Sequence, residues 1–314
     1  MRVYEFARNY DMSSKELVGI CQELGIEVKA QSKLDEMQVA TLSRHICRGK
    51  DTVEGLEETN PKVMKKQKAV KHVAYVVTEC EPFASLGSLG QAAATFVEES
   101  INHERPLTVV LPKYKSVTEG YGHEMKWLTN LPIKLGLEET HASLFKLVKD
   151  SVTYLFIGND HYFGRDDIYG YEDDEVRFAF FNRAVLEALP YLEVEISDIY
   201  VNDWHTSMIP LILDVDYKYH SFYQNVKTTL TIHNLEYQGW YSADILPNVL
   251  GISRQYYDNG LTRMGDAVNL LKSGIETASY IQLNELSKEQ LKLPQMQESG
   301  MVSVIESKLN YKAS

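Results

Sequence analysis

Three segments of this chain concentrate side chains that can hold a polar ligand or exchange a proton with it. The first, EPFASLGSLGQAAATF (residues 81–96), is a glycine-spaced loop carrying Gly87 and Gly90, with Glu79 just ahead of it. It contains no lysine, and the phosphate-cradling pattern G-x-x-x-x-G-K-[ST] occurs nowhere in the chain. The second, NDWHTS (202–207), sets Asp203, Trp204 and His205 side by side. The third, IHNLEYQGWY (232–241), supplies His233, Asn234, Tyr237, Gln238 and Trp240. Imidazoles and carboxylates are the usual groups of proton transfer and of ligand hydrogen bonding. Singly, each also has a purely structural reading: His205 or His233 as a hydrogen-bonded core histidine, Trp204 or Trp240 as a packing residue.

The elements that must position these segments are short. HVAYVVTEC, PLTVVLPKY, VTYLFIGND, SDIYVND and TTLTIHN are β-rich runs of strand length, nearly continuous in apolar character, as in a sheet covered on both faces. Between them SLGQAAATFVEESINH, DDEVRFAFFNRAVLEALPYL and WHTSMIPLILDV show helical spacing. This alternation predicts an α/β domain with a doubly wound, mostly parallel sheet, in which ligands sit beyond the carboxyl ends of the strands. All three segments follow such runs, so they converge on one rim. The stretch from about Glu124 to Val152 reads as a hairpin of antiparallel strands inserted into the domain.

Charge divides the chain into blocks. Of its 314 residues and net charge of −12, residues 1–47 carry 6 Lys/Arg and 7 Asp/Glu, residues 48–72 carry 7 and 4, and residues 73–314 carry 19 and 33. The middle block has few large apolar side chains and ends in five lysines, which predicts a basic linker over 48–71. Ahead of it, residues 1–47 read as a small all-α domain: Ser13 and Glu16 form a capping box, Leu17, Ile20, Cys21 and Leu24 recur at helical spacing, and Gly25 suits a left-handed cap. A second helix is expected from about Asp35, with Met37, Val39, Ala40, Leu42 and Ile46 inward. The acidic bulk argues against nucleic acid or an anionic membrane as main partner. Three scattered cysteines, Cys21, Cys47 and Cys80, make neither a disulfide framework nor a metal site, and the charged N-terminus is no signal peptide. A cytoplasmic location and no cofactor are expected.

The sequence VYEFARNYDMSSKELVGICQELGIEVKAQSKLDEMQVATL resembles the small N-terminal domain of bacterial translation initiation factor 2. From residue 72 to about 310, the segments EPFASLGSLG, LPKY, HYFGRDDIYGYEDDEVRFAFFNRAVLE, NDWHT, IHNLEYQG and NLLKSGIETASYI together resemble the N-terminal half of bacterial glycogen and plant starch synthases, so residues 72–314 are taken as that domain. The resemblance implies one half of a two-domain glycosyltransferase that moves glucose from ADP-glucose to an α-1,4-glucan with retention of configuration. It carries functional roles onto Glu79, Pro82, Phe83, Gly87, Leu89 and Gly90, onto Asp203, Trp204 and His205, onto His233, Asn234, Tyr237, Gln238 and Gly239, and onto Lys272. Under it the glycines admit the sugar nucleotide, His205 lies near the transferred glucose, and Tyr237 and Gln238 line the acceptor side.

Departures from the family fall at the chemistry. Where its loop reads K-T-G-G-L-G-D, this chain has Ser85, Leu86, Gly87, Ser88, Leu89, Gly90 and Gln91. A serine cannot supply the charge that a lysine offers the pyrophosphate of a departing nucleotide. Where the family has H-x-H-D-W-H, this chain has Tyr200, Val201, Asn202, Asp203, Trp204 and His205. The family's second domain, which holds the nucleotide, is expected to begin where this sequence stops. These points lead to the expectation of a degenerate relative that binds or regulates without catalysis. Two alternatives stand beside it: the active half of a split glucosyltransferase completed by another chain, and an RNA- or ribosome-associated adaptor. A protein partner, or a second copy, is expected on an open cleft face with Phe83, Leu86 and Trp240 at the contact, and residual sugar-nucleotide or glucan binding is compatible with it.

Overall fold

In the computed structural model the described residues are 72–310, continuously, and before them positions 3, 7, 13–23, 26, 28–29, 32–34 and 42. The chain divides into two compact units, Met1–Gln67 and Lys68–Ser314. The basic stretch 48–71, the Gly25 cap and all of the expected second helix except Leu42 lie outside the described residues.

In the first unit, helix α1 (Ser14–Glu23) begins where the sequence signals it. The Glu16 carboxylate accepts the Ser13 N–H at 2.7 Å, and the Ser13 hydroxyl accepts the Glu16 N–H at 3.2 Å. Two backbone donors that the helix cannot satisfy internally are thereby paired. Leu17 and Cys21 of α1 are buried with Val3, Ala7, Leu34 and Leu42 in one small apolar cluster.

The second unit is built on an eight-stranded sheet. Its strands are β1 (His72–Val76), β2 (Leu107–Pro112), β3 (Lys126–Leu135), β4 (Glu138–Lys149), β5 (Val152–Gly158), β6 (Ile196–Asn202), β7 (Lys227–Ile232) and, last in the chain, β11 (Tyr280–Leu283), in the spatial order β11-β7-β6-β1-β2-β5-β4-β3. Neighbours from β11 through β5 pair in parallel, while β4 is antiparallel to both β5 and β3. The mixed sheet therefore carries the antiparallel hairpin that the sequence places near 124–152. All six residues of β2 are buried, as its continuous apolar run requires. A second sheet, β8 (Trp240–Tyr241), β9 (Arg263–Met264) and β10 (Ala267–Asn269), has the order β8-β10-β9.

The chain leaves β1 toward β2 on one side and later returns to β6 on the other. The order thus reverses between β1 and β6, and the crevice at their carboxyl ends is the position where α/β sheets bind ligands. Helix α2 (Ser88–Asn102) follows β1, and α3 (Asp174–Ala188) follows β5. After β6 the helical pattern breaks into a single turn, α4 (Asp203–Thr206), and α5 (Ile209–Asp216), with Pro210 in the first turn of α5. Proline there has no N–H to lose and starts a helix readily. Helix α6 (Leu270–Thr277) leads into β11, and α7 (Met301–Asn310) packs on α6.

Candidate binding site at the carboxyl rim of the sheet

Two buried carboxylates hold the loops of the rim in place. Glu79, just beyond β1, accepts the main-chain N–H groups of Leu86 (2.6 Å) and Gly87 (3.0 Å) on one oxygen and the Tyr169 hydroxyl (2.9 Å) on the other. It therefore folds the glycine-spaced loop back over the end of its own strand. Asp203, at the end of β6, accepts the N–H groups of His233 (2.7 Å) and Asn234 (3.2 Å), tying the β6 and β7 loops together. Asp203 does this with φ of 54°, a left-handed conformation that aspartate tolerates better than most residues. Burial pushes its carboxyl up to about 7, against the opposing pull of those two N–H donors.

Between these acids, Asn202 joins three strand ends. Its Nδ2 donates to the Val76 carbonyl at 2.9 Å, while its Oδ1 meets the Tyr75 hydroxyl at 3.0 Å and His233 Nε2 at 2.9 Å. An amide oxygen only accepts, so His233 carries its proton on Nε2. Burial holds His233 down to about 4, which keeps it neutral.

His205 is enclosed by rings. Tyr169 stacks on it at 4.6 Å, Trp204 lies 4.1 Å away, and Phe178 meets it edge-on at 4.8 Å. This apolar casing, reinforced by the Arg177 charge, pushes its pKa down to about 3. Trp204 in turn fits against Gly239, where an added Cβ would approach its ring to 2.7 Å.

These groups surround a cavity of about 580 Å³. Glu79, Leu86, Gly87, Asp203, Trp204, His205, His233, Asn234 and Tyr237 all line it, joined by Ser88, Leu89, Tyr169, Gly170 and Asp174. Three carboxylates border it, and no lysine or arginine is among its lining residues. Arg177 is fully buried, paired with Asp174 and donating to the Tyr162 carbonyl at 2.8 Å. The arrangement offers hydrogen-bond acceptors, ring faces and neutral imidazoles, which suit a hydroxyl-rich ligand, and no side-chain cation for an anion.

A family model described as Starch synthase catalytic domain matches residues 72–304. The chain belongs to this family. A second model, the N-terminal region of translation initiation factor IF-2, matches residues 1–47. Among curated relatives, glycogen synthase of Bacillus subtilis is 34% identical over 209 residues, covering 67% of this chain and 43% of the relative. Glycogen synthase of Clostridioides difficile is 37% identical over 213 residues, with coverage of 67% and 44%. The chain thus spans less than half the length of these relatives. Among solved structures, the catalytic domain of starch synthase IV from Arabidopsis thaliana, bound to ADP and acarbose, superposes with a TM-score of 0.68 at 23% identity, over 77% of this chain and 50% of that one. That superposition supports the fold.

Within this starch synthase-type domain, several residues singled out from sequence stand away from the cavity. Phe83, expected at an open face, is 4% exposed and packs against Tyr121, Tyr154 and Phe156 at 4.7–5.2 Å. Gln238, expected on the acceptor side, is buried: its Nε2 donates to the Leu235 carbonyl and its Oε1 accepts from Asn269 Nδ2. The Lys272 ammonium bonds the carbonyls of Gly260 and Leu261 at 2.8 Å each and lies 3.4 Å from Glu276. Gly90 does not line the cavity; its bare Cα accommodates Ser85, whose Oγ would lie 2.4 Å from a Cβ there. Ser85 itself donates to Glu81 at 3.2 Å. Trp240, expected at the contact, is 46% exposed but lies on the small sheet and is not among the residues that line the cavity. Tyr169 and Asp174 were not singled out from sequence. Their signal lay in the segment DDIYGYEDDE, where a glycine and an acidic helix start follow the tyrosine.

Proposed function

We propose that this domain binds the neutral glucosyl part of an α-glucan in the rim cavity and does not itself transfer glucose. The observation that carries this reading is the charge of the lining: Glu79, Asp174 and Asp203 border the cavity, with no lysine or arginine among its lining residues. The lining offers no side-chain cation to hold a diphosphate or to stabilise a departing one. Hydroxyls, by contrast, suit acceptor carboxylates, and Tyr237, 65% exposed at the mouth, offers a flat apolar face. The glucan class itself comes from membership in the starch synthase family and from glycogen synthase relatives.

Calorimetric titration of the full chain tests this. Maltooligosaccharide should bind, ADP should add no detectable heat, and Tyr237→Ala should weaken the sugar. ADP binding without sugar binding would refute the reading.

A second reading, a protein partner over the same mouth, is favoured by Leu86, which is 72% exposed and lines the same cavity as Tyr237. Aromatic side chains are the commoner anchors of protein recognition, and Tyr237 supplies one at that mouth.

A further inference from the structure

Two buried polar atoms beside the site are reached by no protein group: Nδ1 of His205 and Oδ1 of Asn182. Both residues line one small cavity of about 10 Å³, distinct from the large one and walled mostly by apolar side chains including Phe178, Met208 and Leu250. That volume is the lower limit for a single water, which needs at least two polar partners.

The donor and acceptor roles here are fixed by neighbours. Asn182, on α3, donates its Nδ2 to the carbonyls of Phe178 (2.5 Å) and His205 (2.6 Å). A flipped amide would turn its oxygen onto two other oxygens, so Oδ1 stays an acceptor, enclosed without a protein partner. The His205 ring is held by Tyr169, Trp204 and Phe178, and His205 also lines the large cavity. Nδ1 is the ring nitrogen that is enclosed without a partner.

We propose that one water in the small cavity donates a hydrogen to Asn182 Oδ1 and the other to His205 Nδ1, holding the imidazole as its Nε2–H tautomer, so that His205 meets a ligand as a hydrogen-bond donor. The opposite tautomer would use Nδ1–H as a donor to the water, leaving one water hydrogen pointed at an apolar wall. Unpaired buried donors are rarer than under-used acceptors, so the first arrangement prevails. Burial and the Arg177 charge keep the ring neutral, as a tautomer requires. Asn182 is thus a positioning residue for His205. The identity of the oxygen that Nε2–H would meet, a glucosyl oxygen, rests on the proposed function; the tautomer does not.

The test uses the ligand-free full chain. A long-range proton–nitrogen correlation spectrum of histidine-labelled protein should show a protonated Nε2 and an unprotonated Nδ1 for His205. A high-resolution crystal structure should show a water within about 2.7–3.2 Å of both atoms. A protonated Nδ1, a charged ring at neutral pH, or no ordered water would overturn the proposal. In folded Asn182→Ala the pure signature should give way to a tautomer mixture, and its persistence would also overturn it. Should that variant fail to fold, the wild-type spectrum decides. An Nε2–H signature in a protein that binds no maltooligosaccharide would sink the proposed function and leave this inference standing.

Discussion

The Asp203 carboxylate accepts the main-chain N–H of His233 at 2.7 Å, so a side chain from the end of one strand fixes the loop that leaves its neighbour. The same oxygen takes the Asn234 N–H at 3.2 Å. Asp203→Ala should therefore leave two N–H donors without their acceptor and lower stability by about 1–3 kcal/mol. Asp203→Asn keeps an acceptor oxygen and should recover most of that loss. Chemical denaturation of both variants checks this; equal losses would show that the carboxylate charge, and not its acceptor geometry, holds the loop.

The buried titrating groups of the rim set a pH slope. His205 and His233, held to about 3 and 4, gain protons on unfolding between roughly pH 4 and 6.5, whereas Asp203, raised to about 7, releases one on unfolding over that range. For the histidines, stability is lost as pH falls; for Asp203, it is lost as pH rises toward 7. The net for these groups is uptake of about one proton, so stability should fall by about 1.4 kcal/mol per unit of acidification near pH 5. Asp203→Asn removes the opposing group and should roughly double that slope, as read from unfolding curves at pH 5 and 6.

Gly239 is constrained twice. Its φ is 67°, and a Cβ would come within 2.7 Å of the Trp204 ring. Gly239→Ala should cost about 1–3 kcal/mol from left-handed strain and the displaced indole. A shift in tryptophan fluorescence should accompany the loss, whereas an unshifted spectrum would place the strain elsewhere.

Much of this organisation was legible in the sequence, for physical reasons. The central strands announce themselves as apolar runs because both faces of a parallel sheet are covered, and Ser13 with Glu16 marks a helix start because that pair satisfies specific backbone donors. Strand β11, with alternating partial exposure, and the two- and three-residue strands of the small sheet gave too little periodicity to read. At the site, residues of all three segments line one cavity, but loop order does not set the direction of each side chain. Gln238 and Tyr237 are adjacent, yet one is pinned inward by Asn269 and the other is exposed, a choice made by tertiary hydrogen bonding. Phe83 likewise turned into an aromatic cluster formed by strand residues far away in sequence.

If a protein partner covers the cavity mouth, Leu86→Asp should abolish association seen by sedimentation, because Leu86 borders the cavity. Trp240→Asp, outside the cavity on β8, should leave association intact. Loss on Trp240→Asp alone would move the interface to the small sheet.

That this domain holds glucan without transferring glucose is tested by glucan extension with the purified full chain supplied with ADP-glucose and glycogen. No extension is predicted, together with retention of the protein on immobilised glucan. Sustained extension at ordinary enzyme rates, on the order of 1 per second, would contradict it.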